Sequence, residues 1–212
     1  MTTIEDIAAA IAAGRFKNIA DLVADALAGG LDPLEVLNRG MIDAMSLVGE
    51  RFSRGEAFVP EMLVSARTMK RGVEALKPHL AAGAAGMNGK VVIGTVQGDM
   101  HDIGKNLVAM MLESAGFEVV DLGADVPANR FIEALQANGD VRLVALSTLL
   151  TTTMPSMQQI VTELNQLETR DSFRVMVGGA PVTAEFAARI GADAYADDAA
   201  SAASSAKTLL AR

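Results

Sequence analysis

With 212 residues, and with about 100–200 residues common for a domain, the chain has room for one large domain or two small ones, and two is the expectation. Lys and Arg total 18 against 26 Asp and Glu, a formal net charge of −8 that excludes a basic footprint for nucleic acid; aromatics at 4% with no Trp also remove base-stacking platforms. Hydrophobic residues at 50% and charged residues at 21% suit a packed globular chain, and the absence of Cys leaves only His and carboxylates for metal chemistry.

The N-terminus, MTTIEDIAAAIAAGRF, carries acidic residues where a signal peptide needs positive charge, and no run approaches the roughly 18 apolar residues of a membrane span, so a cytoplasmic chain is expected. Residues 1–80 show helical periodicity. Ile4, Ile7 and Ile11 form one stripe closed by Gly14, and Ile19, Leu22, Val23, Ala26 and Leu27 form a second, ended by Gly29 and Gly30. Asp32 followed by Pro33 reads as an N-cap and first helical position, opening a third helix through Leu34, Leu37, Met41, Met45 and Val48 to about Ser53. A fourth starts at Pro60, carries Leu63, Ala66, Met69, Val73 and Leu76, and stops at Pro78. Four helices with short loops predict a small antiparallel bundle. Residues 81–89 collect Gly and Ala without periodicity, the composition of an interdomain linker, so the domains are expected at 1–80 and 90–212.

From Lys90 the pattern changes. VVIGTV (91–96), FEVVDL (117–122), VRLVALS (141–147), FRVMVGG (173–179) and ADAYA (192–196) read as strands. Helical stretches lie at 104–115, 128–138, 154–168, 183–190 and 199–211. Strict alternation predicts a five-stranded parallel sheet covered on both faces, a flavodoxin-like (Rossmann-type) α/β domain. In such sheets ligands bind beyond the carboxyl ends of the strands.

The first strand is followed by Gly98-Asp99-Met100-His101-Asp102-Ile103-Gly104-Lys105, which leads directly into a helix and holds one of only two histidines. A neutral imidazole is a good transition-metal ligand, and a carboxylate on its other nitrogen sets the tautomer. The same residues also suit a simpler role, in which Asp99 or Asp102 caps the helix and His101 is an exposed loop residue. The other histidine, His79, is read as solvated. Ser147 to Thr153 holds five hydroxyls in seven residues, more than turn and cap duties require. Gly178-Gly179 ends the fourth strand, where a turn or close backbone approach by a ligand would explain it equally.

Asp99-x-His101-x-x-Gly104, Ser147-x-Leu149 and Gly178-Gly179 together resemble the signature of the cobalamin-binding module of methionine synthase and, more closely, of the free-standing corrinoid proteins of methyltransferase systems. Val48-Gly49-Glu50-Arg51-Phe52 and the segment from Gly55 to Lys70 resemble the four-helix cap that precedes that module. The resemblance implies a bound cobalamin in which His101 replaces the cofactor's own base as lower cobalt ligand. Asp99 would hydrogen-bond the imidazole and Thr153, where the family often has Ser, would extend that relay. Gly104, Ser147, Thr151, Gly178 and Gly179 would border the displaced nucleotide tail, Asp102, Ile103 and Leu149 would also bind the cofactor, and Phe52 and Val59 would cover the reactive face. It further implies a methyl carrier that is not catalytic alone. A substrate-specific methyltransferase would load it, a second would pass the methyl to a folate, pterin or thiol, and a reductive activase could serve it. Methylamines, betaine, methanol and aryl methyl ethers all suit as donors. A cobalamin-dependent sensor, or the small subunit of an adenosylcobalamin mutase, is the competing reading.

Overall fold

The computed structural model describes residues 2–79 and 88–211, so the expected linker at 81–89 lies, apart from Asn88 and Gly89, outside the described residues. The chain divides into two compact units, the second beginning at Asn88.

The N-terminal unit is helical. α1 (Ile4–Ala12) opens with a capping box in which Asp6 N–H donates to Thr3 Oγ1 at 3.2 Å and Thr3 N–H donates to Asp6 Oδ2 at 2.9 Å. It buries Ile7, Ala10 and Ile11, while α2 (Ile19–Ala28) buries Ile19, Val23 and Ala26. Asp32 Oδ2 accepts from Glu35 N–H at 3.0 Å and Pro33 is the first residue of α3 (Pro33–Glu35), the start read from the sequence. The regular helix expected next is interrupted by a π-helical segment, Val36–Ile42, before α4 (Asp43–Ser53). Its wider turn is closed by Asp43 N–H on Asn38 O, and Leu37, Met41, Met45 and Val48 of the expected stripe are buried. Val36, Met41 and Ile42 face inward, and Leu34, expected in the core, is 41% exposed. α5 (Val59–Leu76) begins one residue before Pro60 and ends in a 3₁₀ turn at Pro78.

The second unit is the predicted parallel α/β domain. Its strands are β1 (Lys90–Thr95), β2 (Glu118–Asp121), β3 (Val141–Ser147), β4 (Arg174–Gly178) and β5 (Ala194–Ala196), in the order β2-β1-β3-β4-β5. Helices α6 (Ile103–Ser114), α7 (Ala128–Ala137), α8 (Met154–Asn165), α9 (Ala184–Ile190) and α10 (Ala199–Leu210) alternate with them. β1 and β3 are near-continuous apolar runs because both faces are covered. Val92, Val144, Leu146, Val175 and Val177 join Phe131, Met157, Ile160 and Phe186 in the main core. Gly94 makes room for Phe131, since a Cβ there would lie 2.8 Å from its Cζ. α8 is shorter than expected. Arg170 donates to Asn165 Oδ1 at 2.5 Å, Phe173 O at 2.9 Å and Asp193 Oδ2 at 2.6 Å, pinning the chain just after the helix ends.

Strand order reverses between β1 and β3, so the connections leaving them diverge and open a crevice at their carboxyl ends. Thr95 pairs with Ser147 and Ser147 with Gly178, which sets three strand ends side by side. The three motif segments therefore leave the sheet at one place.

Candidate functional site

Asp99 is the centre of this place. Its side chain is fully buried and accepts from two loops at once. On one side, Oδ1 takes the His101 backbone N–H at 3.0 Å and His101 Nδ1 at 2.7 Å. On the other, Oδ2 takes Leu149 N–H at 2.6 Å, Leu150 N–H at 3.3 Å, Thr148 Oγ1 at 3.0 Å and Thr153 Oγ1 at 3.3 Å. Burial by itself would push the carboxyl up, but the donors from Leu149, His101 and Thr148 outweigh it and hold Asp99 well below the usual carboxylate range.

An ionised carboxylate only accepts, so His101 Nδ1 must carry the proton. That leaves the Nε2 lone pair to act as acceptor or metal ligand, and Nε2 has no partner among the described residues. The imidazole is 53% exposed while its anchor is buried, the arrangement of a ligand held rigidly and presented outward. Thr95, itself buried, donates its hydroxyl to His101 O at 2.9 Å and fixes the backbone of the same residue.

The hydroxyl cluster resolves into a chain. Thr153 and Thr148 lie 2.6 Å apart, Oγ1 to Oγ1, and the Thr148 hydroxyl is the nearer of the two to Asp99. Distances favour Thr153 donating to Thr148, Thr148 to Asp99, and His101 to Asp99 from the far side. Both hydroxyls reach Asp99 Oδ2, so Thr153 adjoins the pair as expected and Thr148 joins it there at a shorter distance.

Neither Asp99 nor Asp102 has a carboxylate bond to an α6 first-turn N–H among the described residues; Asp102 Oδ2 instead accepts from Asn106 Nδ2 at 3.1 Å. Gly104, at the second position of α6, has no positive φ, and a Cβ there would meet nothing within 4 Å, so packing gives no reason for glycine. Gly179 differs. Its φ is +126° and a Cβ would lie 1.8 Å from Thr148 O, so the turn after β4 lies against the segment that holds Asp99. Gly178, where a Cβ would meet Ala196 O at 2.7 Å, is required by the neighbouring strand.

Ser147 ends β3 half-buried, and Thr151 is exposed at the start of a 3₁₀ turn. Met100 and Ile103 beside His101, and Leu149 and Leu150 on the facing loop, are exposed by 73, 78, 46 and 37%, an apolar lip around a polar anchor. Phe52 and Val59 lie in the helical unit, Phe52 half-buried on α4 and Val59 37% exposed at the start of α5. Among the described residues no group of three or more His, Cys, Asp or Glu is placed to hold a metal ion.

Two features of this region are not foreseen from the sequence. Lys105 has a side chain only 1% exposed, and its Nζ donates to Asp121 Oδ2 at 2.5 Å and Asn106 Oδ1 at 2.6 Å, tying the first turn of α6 to the end of β2. Asp125 grips the loop carrying His101. Lys105 looks like an ordinary surface lysine until the fold buries it, whereas Thr95 leaves a signal as a polar residue in an otherwise apolar strand.

Residues 89–204 match a family described as B12 binding domain, and residues 3–77 match a second family of the same description. Dimethylamine corrinoid protein 1 of Methanosarcina acetivorans is 46% identical over 185 residues, 86% of each chain. The trimethylamine corrinoid protein of Methanosarcina barkeri is 45% identical over 82% of this chain and 81% of its own. Among solved structures, a cobalamin-binding protein from Desulfitobacterium hafniense DCB-2 gives a TM-score of 0.83 at 30% identity over 99% of both chains. A chain of the methanol:cobalamin methyltransferase complex MtaBC from Methanosarcina barkeri gives 0.84 at 30% identity, over 98% of this chain and 79% of that one. With both halves matched and its relatives aligned over most of their length, the chain belongs to the corrinoid proteins built from B12 binding domains, and its cofactor is a corrinoid.

Proposed function

We propose that this protein is a methyl carrier whose corrinoid is held by His101 Nε2 in place of the cofactor's own base. When bound, the corrinoid supplies a cobalt centre that takes a methyl group from one enzyme and yields it to another. The chain's own residues anchor and tune that centre. Asp99 keeps the imidazole in the Nδ1–H tautomer, and the donors of Leu149, His101 and Thr148 keep Asp99 ionised, so the basicity of Nε2 follows the charge on Asp99. A proton entering the pair would weaken the ligand, and one leaving would strengthen it. The apolar lip at Met100, Ile103, Leu149 and Leu150 suits the lower face of the ring, and the open space at Gly104 suits the displaced tail. Ser147, Thr151 and the Gly178-Gly179 turn would border that tail. Phe52 and Val59 would keep water from the reactive face.

The relatives named for dimethylamine and trimethylamine are more similar to this chain than is the methanol-system structure, which favours a methylated amine as donor. The loading partner is then a methylamine-specific methyltransferase and the second a methyltransferase acting on a folate, pterin or thiol, with a reductive activase restoring oxidised cobalt. Among the described residues no helix is long and apolar enough to cross a membrane.

The observation that carries this reading is the outward-facing Nε2 on a buried, ionised Asp99. Its test is the visible spectrum after reconstitution with hydroxocobalamin, wild type beside His101→Ala. Stoichiometric retention with a spectrum that changes in the variant is expected; no retention, or identical spectra, would overturn the assignment.

A further inference from the structure

His101 sits on a loop, and a loop ligand is only as well placed as its tethers. Asp99 and Thr95 hold the loop from the β3 side and from beneath. On the β2 side it is held by Asp125. Asp125 Oδ1 accepts from Gly98 N–H at 2.7 Å, and Asp125 N–H donates to Asp99 O at 2.9 Å, so one residue grips the Gly98–Asp99 segment from both ends. The grip extends the sheet by one step, since the adjoining residues Val96 and Val126 form a parallel bridge. To aim its N–H and carboxylate at the same segment, Asp125 adopts φ 56°, the only positive φ at a non-glycine among the described residues. Glycine would enter that region without strain but has no acceptor; Asp and Asn are the side chains that tolerate it and supply one. Strain kept at such a point is characteristic of functional sites.

We propose that Asp125 is a positioning residue for His101. It acts through the Gly98–Asp99 backbone, holding Asp99 where one oxygen meets the imidazole and the other meets the 148–150 loop. The inference rests on the reading of His101 as the cobalt ligand, and adds the residue that sets where the ligand stands.

The test uses full-length protein labelled with 15N-histidine, loaded with cobalamin and reduced to Co(II), and reads the electron paramagnetic resonance spectrum. A labelled imidazole on cobalt splits each line into a doublet, whereas the cofactor's own unlabelled base gives a triplet. Wild type and Asp125→Asn, which keeps the acceptor oxygen, are expected to show the doublet. Asp125→Gly, which removes the acceptor and also relieves the backbone, should shift the ratio of histidine-ligated to unligated cobalt by about tenfold. Its thermal midpoint without cofactor should stay within about 4 °C of wild type. A full doublet in Asp125→Gly, equal loss in Asp125→Asn, or collapse of the Asp125→Gly midpoint would each overturn the positioning role. Absence of the doublet in wild type would instead remove the His101 assignment, and this inference with it.

Discussion

Gly179→Ala tests the claim that the Gly178-Gly179 turn and the Asp99 anchor form one packed unit. The new Cβ would lie 1.8 Å from Thr148 O, 2.8 Å from Thr148 C and 3.0 Å from Thr148 N. Real Cβ contacts essentially never fall below 3.0 Å, so one backbone must retreat by 3.0 − 1.8 = 1.2 Å. The atoms that yield belong to the residue whose hydroxyl donates to Asp99, and the next two residues supply its backbone donors. A residue other than glycine at φ +126° costs about 1–3 kcal/mol and overpacking a further 1–3 kcal/mol, so a loss of about 2–6 kcal/mol is expected. That is a large part of the roughly 5–15 kcal/mol that holds an ordinary domain together. Urea unfolding of the cofactor-free protein measures it, with Gly104→Ala as the internal control. Alanine meets nothing at position 104 and suits a helix better, so that variant should be neutral or gain up to about 1 kcal/mol while corrinoid affinity falls. A Gly179→Ala stability within about 0.5 kcal/mol of wild type would refute the coupling of turn and anchor.

Acid should act through Asp99. Its folded carboxyl lies below the ordinary value, so its stabilising contribution is present above about pH 4 and declines as pH falls below that, and urea midpoints should drop more steeply towards pH 2.5 in wild type than in Asp99→Asn; parallel curves would contradict this. Thr148→Val is expected to cost about 1–3 kcal/mol and Thr153→Val less, because Thr148 is the nearer donor; the reverse order in thermal unfolding would make Thr153 the stronger partner of Asp99. Asp121→Ala should destabilise by about 2–4 kcal/mol because it strips a buried ammonium of its carboxylate, whereas Lys105→Met removes the charge itself and should cost less by the same measurement.

Local rules carried most of the fold. The Asp32-Pro33 helix start and all five strands lie where capping chemistry and apolar runs place them, within a residue or two at their ends. The π-helical turn at Val36–Ile42 was not legible, because apolar spacings of three and four fit a regular helix equally well and the choice depends on packing. That packing includes Gly40 against Ile7, where a Cβ would lie 3.3 Å from Cγ2. In the same way, the shortened end of α8 depends on Arg170 reaching Asp193, 23 residues away in sequence.

By itself the sequence determined the order of helices and strands, the parallel sheet with its crevice, and the three segments that meet there, because each follows from periodicity and from strand ends sharing one edge of the sheet. Resemblance of those segments supplied the cofactor class. Only the tertiary structure decided which atoms do the work: that Thr148 joins Thr153 on Asp99, that Gly179 serves packing while Gly104 leaves space, that Lys105 ties α6 to β2 and that Asp125 holds the loop of His101. These are contacts between residues 16 to 54 positions apart or choices between two hydroxyls a few residues apart, and they are fixed by distance and burial, which a one-dimensional pattern does not contain.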